Sequence, residues 1–346
     1  MGRRKKRRKQ SKGLEGAFLA ITAIVILIAL LLISTAFDGT GQILFWGVVF
    51  ILSMVILVKA ADYFIESSEI IGLAMGFPAF VVGITLVAFG TSLPELVSSL
   101  IATARGLNEF AVANTIGSNI ANLLLVIGLS AIIGKRLKVE FDILKVDLPL
   151  LLGGTTLLTL TLYDGVFTMI EGFLCFTLFL IYLAYSLSIR RLDIPKEKKK
   201  IAWWVIPLFI GSAVGIFIGS HFTVESVIRL SGLFGFNNTA VIAISAVALG
   251  TSLPELFVSV AAVRKGNMEI AIGNVLGSNM FNMGLVLGIP SFVTTLIAPP
   301  AVMTGLMFLV GATAMYLFAS MDKEITSFEG AMLIVLYVLF ITKLFV

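Results

Sequence analysis

The sequence carries little charge for its length. Asp, Glu, Lys and Arg together make up 13% of its 346 residues, about half of the roughly 25% that is usual in a soluble globular protein. A soluble chain of this size would lack the charged side chains needed to cover its surface. The composition therefore excludes a soluble enzyme.

Cysteine and histidine are almost absent, with Cys175 and His221 the single examples. One cysteine cannot form an internal disulfide, and a zinc-type site needs several convergent cysteine, histidine or carboxylate ligands. We interpret Cys175 as a packing residue in an apolar run and His221 as an ordinary residue at a helix end. A disulfide scaffold and a histidine-based metal centre are both excluded.

Long apolar runs dominate the chain instead. A membrane-spanning helix needs about 20 apolar residues, and windows of about 19 residues predict eleven such helices. The predicted spans cover residues 17–36, 43–65, 79–103, 110–134, 145–163, 166–189, 201–223, 238–263, 269–294, 299–319 and 326–345. The fold class is therefore predicted to be all-α and integral to the membrane.

Basic residues are unevenly shared between the predicted connections, which predicts the orientation. Lys and Arg are concentrated in the first twelve residues and then in every second connection, around residues 135–138, 190–200, 264–265 and 323. Because such connections favour the cytoplasm, we expect a multi-pass protein of the cell membrane with a cytoplasmic N-terminus and an extracellular C-terminus. The basic start fits this topology better than a nucleic-acid or phosphoinositide site. Residues 1–37 fit a retained helix or, less well, a cleaved signal segment.

The chain contains an internal repeat. A shift of 160 residues aligns residues 84–128 with residues 244–288 without a gap, and about half of the positions are identical. Two motifs carry the match: GTSLPEL at 90–96 and 250–256, and GSNxxN at 117–122 and 277–282. The copies lie five predicted helices apart, so they are expected to cross the membrane in opposite directions. Such inverted-topology repeats are found in many secondary transporters.

Each copy places a glutamate in the middle of a predicted span, Glu95 in the first and Glu255 in the second. A charged carboxylate at the centre of a membrane costs about 2.5 to 3.5 kcal/mol on insertion scales and needs a partner. No Lys or Arg lies at a similar depth in the predicted helices, which leaves a bound cation as the partner. The proline before each glutamate, Pro94 or Pro254, is expected to break the helix and free backbone carbonyls.

Further oxygen donors accompany the two glutamates in both copies. Thr, Ser and Asn side chains at helical spacing share a face with the glutamate or within the GSNxxN segment, although such residues also form hydrogen bonds between membrane helices. Carboxylate, hydroxyl, amide and carbonyl oxygens are the ligands that Ca²⁺ prefers, and Na⁺ by the same logic. The candidate cation ligands are Glu95, Glu255, Thr91, Thr251, Ser92, Ser252, Ser118, Ser278, Asn122, Asn282 and the backbone carbonyls of Ala88 and Ala248.

The duplicated GTSLPE and GSNxxN segments resemble the alpha repeats of the calcium/cation antiporter superfamily, most closely its prokaryotic sodium/calcium exchanger branch. The resemblance extends from about residue 43 to the end of the chain. It implies an inverted-repeat transporter with a ten-helix core, to which this chain adds one N-terminal helix. It also implies exchange of about three Na⁺ for one Ca²⁺ by alternating access, with the second and seventh predicted helices as a sliding gate.

The same resemblance implies roles for individual residues. Glu95 and Glu255 would be the central Ca²⁺ ligands, with backbone carbonyls of the two motif threonines beside them. The four serines and the two alanine carbonyls would line Na⁺ sites, and Asn122 and Asn282 would close the middle position. Some members of the superfamily, including the potassium-dependent kind, carry aspartate at the position of Asn282. Asparagine in both copies argues against potassium co-transport and leaves one carboxylate fewer.

The resulting hypothesis is a Na⁺-driven Ca²⁺ antiporter that needs no cofactor. One alternative is a Ca²⁺/H⁺ or other cation/H⁺ antiporter, since two glutamates can also carry protons. Another is a cation channel built on the same oxygen ligands. A membrane enzyme is the weakest option, because GTSLPE lacks the GxSxG pattern. The expected partners are Ca²⁺, Na⁺ and the lipid bilayer, with no nucleic acid and no obligatory protein partner.

Four segments are predicted along the chain. Residues 1–42 form the basic N-terminus and the extra helix, and residues 43–190 form the first half with its repeat at 83–134. Residues 191–200 are a cytoplasmic linker, and residues 201–346 form the second half with its repeat at 243–294.

Overall fold

The computed structural model describes residues 40–138, 147–188, 201–233 and 250–345. The predicted N-terminal span at 17–36, the linker at 191–200, Ala248 and the first part of the predicted span at 238–263 lie outside these ranges. Within the described ranges the backbone is mostly helical.

Ten helices account for most of the described residues. They are α1 (Thr40–Met75), α2 (Ala79–Ala104), α3 (Phe110–Gly134), α4 (Asp147–Thr161), α5 (Met169–Ser188), α6 (Val205–Leu233), α7 (Leu253–Arg264), α8 (Met268–Ser291), α9 (Pro300–Ala319) and α10 (Ser327–Phe345). By length and composition, α1, α2, α3, α5, α6, α8 and α9 are long and apolar enough to cross a membrane. The described residues also contain four short strands, β1 (Arg136–Lys138), β2 (Val166–Phe167), β3 (Leu296–Ile297) and β4 (Glu324–Thr326).

Each predicted span that falls within the described residues coincides with a helix, but two helices are longer than predicted. α1 and α6 continue well past residues 65 and 223, where the apolar windows end. A charged residue such as Asp62 ends an apolar window without ending a helix, because backbone hydrogen bonding does not depend on hydropathy. Close packing holds the added turns of α1: a Cβ on Gly72 would lie 2.0 Å from Cγ2 of Val82 in α2.

The strands join distant parts of the chain. β1 pairs antiparallel with β4, and β2 pairs antiparallel with β3. The helices that follow β2 and β4 begin in the same way, because Glu171 accepts hydrogen bonds from the N–H and hydroxyl of Thr168, and Glu329 does so from Thr326. Such a capping box satisfies backbone donors at a helix start. The starts of α5 and α10 are therefore equivalent.

Helix α8 is buried along the whole of its apolar span. It approaches α2 through glycines: a Cβ on Gly273 would lie 2.4 Å from the carbonyl oxygen of Phe80, and one on Gly277 would lie 2.4 Å from that of Ile84. Small residues let membrane helices approach this closely. The first GTSLPEL helix and the second GSNxxN helix are thereby packed backbone against backbone.

Helices α1 and α6 pack against each other along much of their length, next to α7 and α2. A Cβ on Gly219 in α6 would lie 3.0 Å from the backbone nitrogen of Leu57 in α1. The rings of Phe64 and Phe209 stack with 4.9 Å between their centroids. The two helices therefore form a closely packed pair beside the helices that carry the repeated motifs.

Three of the described helices contain widened π-helical turns. These are Gly83–Val87 in α2, Ala121–Val126 in α3 and Asn282–Leu287 in α8. A π-helical turn interrupts the regular α-helical hydrogen bonding and is frequent at functional sites. In α3 and α8 it begins at or next to the last asparagine of GSNxxN.

Candidate functional site

Glu95 on α2 and Glu255 on α7 are both buried, with 1% and 0% of their surface exposed. Ser92 Oγ donates a 2.8 Å hydrogen bond to Oε1 of Glu255, and Ser278 Oγ lies 3.4 Å from the same oxygen. Oε2 of Glu255 and both carboxylate oxygens of Glu95 have no hydrogen-bond partner among the residues that the structure describes. Ser92 lies three residues before Glu95 on α2, so its hydrogen bond brings Glu255 next to the turn that carries Glu95. In the described residues neither glutamate forms an ion pair with Lys or Arg, so the pair lacks compensating positive charge.

The two motif prolines have different effects, and the predicted break at Pro94 is wrong. α2 runs through Pro94, whereas α7 begins directly after Ser252, whose ψ is 1°. A proline in a helix removes one hydrogen bond and can kink the helix without ending it, and in the first turn it is well tolerated. The carbonyl of Gly250, four residues before Pro254, accepts a 2.9 Å hydrogen bond from Ser220 Oγ on α6.

The first motif threonine links α2 to α8 and α7. Thr91 Oγ1 donates to Oδ1 of Asn274 at 3.1 Å, and Nδ2 of Asn274 donates to Oγ of Ser259 at 3.0 Å. The same hydroxyl lies 3.3 Å from the carbonyl oxygen of Ala88. That carbonyl, predicted to be free, therefore already has a hydrogen-bond donor nearby.

The second motif threonine makes the equivalent links. Thr251 Oγ1 donates to Oδ1 of Asn114 at 3.1 Å, and Nδ2 of Asn114 donates to Oγ of Ser99 at 3.2 Å. Thr251, Asn114 and Ser99 are the counterparts of Thr91, Asn274 and Ser259 under the shift of 160 positions. The two copies are thus joined to each other twice by the same Thr–Asn–Ser hydrogen bonds.

The GSNxxN segments bring their serines next to the opposite threonines. Ser118 Oγ lies 3.1 Å from Oγ1 of Thr251, and Ser278 Oγ lies 3.5 Å from Oγ1 of Thr91. Each contact again joins one copy to the other. The serine of each GSNxxN segment is therefore in contact with the motif threonine of the opposite copy.

The final asparagines of the two segments are both fully buried. Within the described ranges, Asn122 has no hydrogen-bond partner at either side-chain atom. Asn282 donates from Nδ2 to Oδ1 of Asn119 at 3.1 Å, and its own Oδ1 has no partner. Oγ of Ser252 is likewise buried without a partner. The oxygen atoms of these side chains are therefore available to bind a cation.

Sequence reasoning missed a second set of polar residues that hold the predicted ones. Each is identical in the two copies under the shift of 160, which is the signal that could have identified them. They are Ser99 and Ser259, Asn114 and Asn274, and Asn119 and Asn279.

A cavity of about 460 Å³ leads from one end of the bundle towards the motifs. Arg105 lines it at the end of α2, His221 and Glu225 line it from within α6, and Pro94 and Thr251 line it at the level of the motifs. The prediction that His221 lies at a helix end is wrong, because α6 continues to Leu233. The site is therefore approached from the end of the molecule that carries the α2–α3 connection.

The chemistry of the unpartnered atoms favours a hard cation. They are carboxylate, hydroxyl and amide oxygens, the ligand types found around Ca²⁺ and other hard cations. The described residues contain no group of three or more His, Cys, Asp or Glu that could hold a metal ion. Amide and hydroxyl oxygens would therefore have to complete a coordination shell around the two carboxylates.

Comparison with known proteins agrees with this chemistry. The family model described as "Sodium/calcium exchanger protein" matches residues 45–188 and 204–346. Inner membrane protein YrbG of Escherichia coli is 34% identical over 257 residues, covering 70% of this chain and 78% of that protein. Sodium/calcium exchanger MaX1 of Methanosarcina acetivorans is 31% identical over 344 residues, covering 86% of this chain and 97% of that protein.

Solved structures of the sodium-calcium exchanger NCX_Mj share the fold. One, soaked with 2.5 mM Na⁺ and 0.1 mM Sr²⁺, has a TM-score of 0.78 and 29% identity, covering 87% of this chain and 99% of that one. Another, soaked with 2.5 mM Na⁺ and 0.1 mM Ca²⁺, has a TM-score of 0.76. This chain is a multi-pass membrane transport protein rather than an enzyme, and it belongs to the sodium/calcium exchanger family.

Proposed function

We propose that this protein exchanges Na⁺ for Ca²⁺ across the cell membrane by alternating access. The observation that carries the proposal is the pair Glu95 and Glu255, two buried carboxylates from opposite copies. In the part of the chain that the structure describes, they have no positively charged partner and few hydrogen-bond donors. The relatives add support, since MaX1 is a sodium/calcium exchanger by name and NCX_Mj was studied with Na⁺, Ca²⁺ and Sr²⁺.

The proposed cation ligands are the residues predicted from the repeated motifs. The two carboxylates supply the charge, and Asn122, Asn282 and Ser252 supply oxygens that have no other partner. The backbone carbonyls of the motif threonines and of Ala88 and Ala248 complete the proposed set, together with the hydroxyls of Thr91, Thr251, Ser92, Ser118 and Ser278.

The negative charge of the two carboxylates explains why the proposed transport is exchange rather than conduction through a channel. Two carboxylates are neutralised by one Ca²⁺ or by two Na⁺, whereas an empty site keeps two buried negative charges at a high free-energy cost. Because the empty site would cross the membrane only at a high free-energy cost, the transporter is expected to return with a counter-ion bound. This argues against a cation channel, which conducts without a counter-ion.

The proposed architecture is an inverted repeat of two halves, residues 43–190 and 201–346, joined by a cytoplasmic linker. Support comes from the paired Thr–Asn–Ser hydrogen bonds and from a family model that matches one segment in each half. With the basic connections inside, the N-terminus is cytoplasmic and the C-terminus extracellular. Lipid is the surrounding partner, and no obligatory protein partner is proposed.

Helices α1 and α6 are the proposed gate. Their close mutual packing, through Gly219 and the stacked rings of Phe64 and Phe209, supports movement of the two as one unit. The motif helices, joined to each other by hydrogen bonds, would stay together. Movement of α1 and α6 against them would open the site to one side of the membrane or the other.

The test is uptake of radiolabelled Ca²⁺ into proteoliposomes that contain the purified protein. Vesicles loaded with Na⁺ and diluted into Na⁺-free buffer should take up Ca²⁺, and vesicles with only a proton gradient should not. Uptake driven only by the proton gradient would instead assign a Ca²⁺/H⁺ antiporter. Uptake with neither gradient would indicate a channel.

The same assay tests the two carboxylates. Glu95→Gln and Glu255→Gln should each abolish Na⁺-driven uptake, because each removes half of the charge that holds the cation. Glu109→Gln, at an exposed glutamate in the α2–α3 connection, is the matched control and should retain uptake. Full transport by either buried variant would refute the proposed site.

A further inference from the structure

Asn119 and Asn279 are the first asparagines of the two GSNxxN segments, and their side chains differ in what they contact. Nδ2 of Asn119, on α3, donates across to the backbone carbonyl oxygen of Asn279 on α8 at 3.4 Å. Nδ2 of Asn279 donates within its own helix, to the carbonyl oxygen of Val275 at 2.8 Å. Both asparagines are almost completely buried. Only Asn119 therefore connects the two copies through its side chain.

This connection fixes which way the Asn119 amide points. A backbone carbonyl can only accept a hydrogen bond, so the group that Asn119 offers to Asn279 must be its NH₂. Oδ1 of Asn119 is then the atom that faces Asn282, and an oxygen can only accept. Asn282 must therefore turn its own NH₂ towards Asn119, as the 3.1 Å contact has it.

The consequence appears at the other end of Asn282. With its NH₂ bonded to Asn119, its Oδ1 is directed elsewhere and has no partner. A carboxamide has one end that attracts a cation and one end that repels it. An aspartate at the same position would offer an oxygen in either orientation, so only an asparagine needs its orientation fixed.

We propose that Asn119 is a positioning residue for the cation site, which orients Asn282 so that its oxygen, not its NH₂, is offered to a divalent cation. The proposal rests on the proposed function only in assuming that Asn282 is a cation ligand. The orienting contact occurs only from Asn119 on α3 to Asn282 on α8. The counterpart of Asn282 is Asn122, and neither its side-chain oxygen nor its side-chain nitrogen has a hydrogen-bond partner in the described residues.

The first experiment is Asn119→Leu, which keeps the approximate volume of the side chain and removes its polarity. The Asn282 amide is then free to rotate, and we expect KM for Ca²⁺ in Na⁺-driven uptake to rise about tenfold, a value typical for loss of one hydrogen bond near a charge. The matched control is Thr115→Val, one turn away on α3 at a buried hydroxyl with no partner. Its KM should stay within about twofold. An equal rise in both variants would overturn the proposal.

The decisive experiment repeats Asn119→Leu in an Asn282→Asp background. A carboxylate at 282 offers oxygen in any orientation, so removal of Asn119 should then change KM by less than about twofold, and the two substitutions should be strongly non-additive. A tenfold effect in both backgrounds would show that Asn119 acts only through packing and would overturn the orientation role.

Ca²⁺ titration of the melting temperature in detergent separates this proposal from the function. If the wild-type protein shows no Na⁺-driven uptake, the proposed function fails. The orientation role still stands if Ca²⁺ raises the melting temperature of the wild type and this stabilisation requires about tenfold more Ca²⁺ in Asn119→Leu. It fails if both proteins respond to the same Ca²⁺ concentrations.

Discussion

Single hydrogen bonds make Glu255 different from Glu95, although the same seven-residue motif surrounds both. Ser92 donates to Glu255, whereas Oγ of its counterpart Ser252 and both oxygens of Glu95 have no partner. Ser252 lies at the start of α7, outside regular helical geometry. At the residue scale, the two copies are thus equal in sequence and unequal in contacts.

Ser92→Ala should lower the apparent affinity for Ca²⁺. It removes the 2.8 Å donor to Glu255, and a hydrogen bond to a charged group is worth about 1.5 to 3 kcal/mol. We expect a loss of about tenfold in kcat/KM for uptake. Ser98→Ala is the control, because Ser98 donates only to the backbone oxygen of Glu95. Equal losses in the two variants would contradict a specific role for Ser92.

Asn114→Ala and Asn274→Ala should destabilise the protein to a similar extent. Each leaves a threonine, buried Thr91 or partly buried Thr251, and a buried serine without the amide between them, which costs about 1 to 3 kcal/mol. Thermal unfolding in detergent measures the effect. A loss in one variant only would show that the two hydrogen-bond chains are not equivalent.

The repeated motifs predicted the site residues but did not predict which residues these side chains contact. Duplication identifies Ser92 and Ser278 as important, but the contact of both with one oxygen of Glu255 depends on how α2 and α8 are rotated against α7. Asn114 and Asn119 are duplicated as clearly and were missed. Asn114 lies outside the two motifs and Asn119 lies within GSNxxN, but in sequence an asparagine looks the same whether it bonds a neighbour or faces a cavity.

Glycines set the spacing between the motif helices. Gly273 and Gly277 face carbonyl oxygens of α2, so any Cβ there meets rigid backbone. The apolar windows predicted α2 and α8 as spans but not their contact, since a window averages over all faces of a helix. At the element scale, sequence predicted which segments are helical and left open which helices touch.

Gly273→Ala should separate α2 from α8 and destabilise the protein. The new Cβ would lie 2.4 Å from the carbonyl oxygen of Phe80, and overpacking of this kind costs about 1 to 3 kcal/mol. Gly311→Ala in α9 is the control, because a Cβ there has no atom within 4 Å. The melting temperature should fall for the first variant and not for the second. Identical melting temperatures would contradict the backbone contact.

The connections between helices carry the signature of the whole molecule. The starts of α5 and α10 share the capping box, and the exposed residues Asp164 and Asp322 precede Thr168 and Thr326 by the same four positions. The repeat found in the sequence ends at residue 128, yet this equivalence lies well beyond it. A different shift, of 158, relates these segments, which explains why one gapless comparison did not reach them.

Asp164→Cys and Asp322→Cys, made separately in a Cys175→Ser background, should react with a membrane-impermeant maleimide from opposite sides of the membrane. Cys175 is buried, and its removal leaves no other thiol in the chain. In intact cells the cysteine at 164 should be labelled and the one at 322 should not, until the membrane is opened. Labelling of both from outside would contradict the inverted topology.

The lack of any ion pair at Glu95 and Glu255 within the described residues has an electrical consequence. Under the proposed function, a binding site that holds two negative charges is neutral when it crosses with one Ca²⁺ or two Na⁺. It carries one positive charge if it crosses with the three Na⁺ that the family resemblance implies. Only the sodium-loaded step would then respond to the membrane potential, by about 2.3 kcal/mol for each 100 mV. The asparagines at 122 and 282 would thus make membrane voltage, together with the Na⁺ gradient, a driving force for moving Ca²⁺.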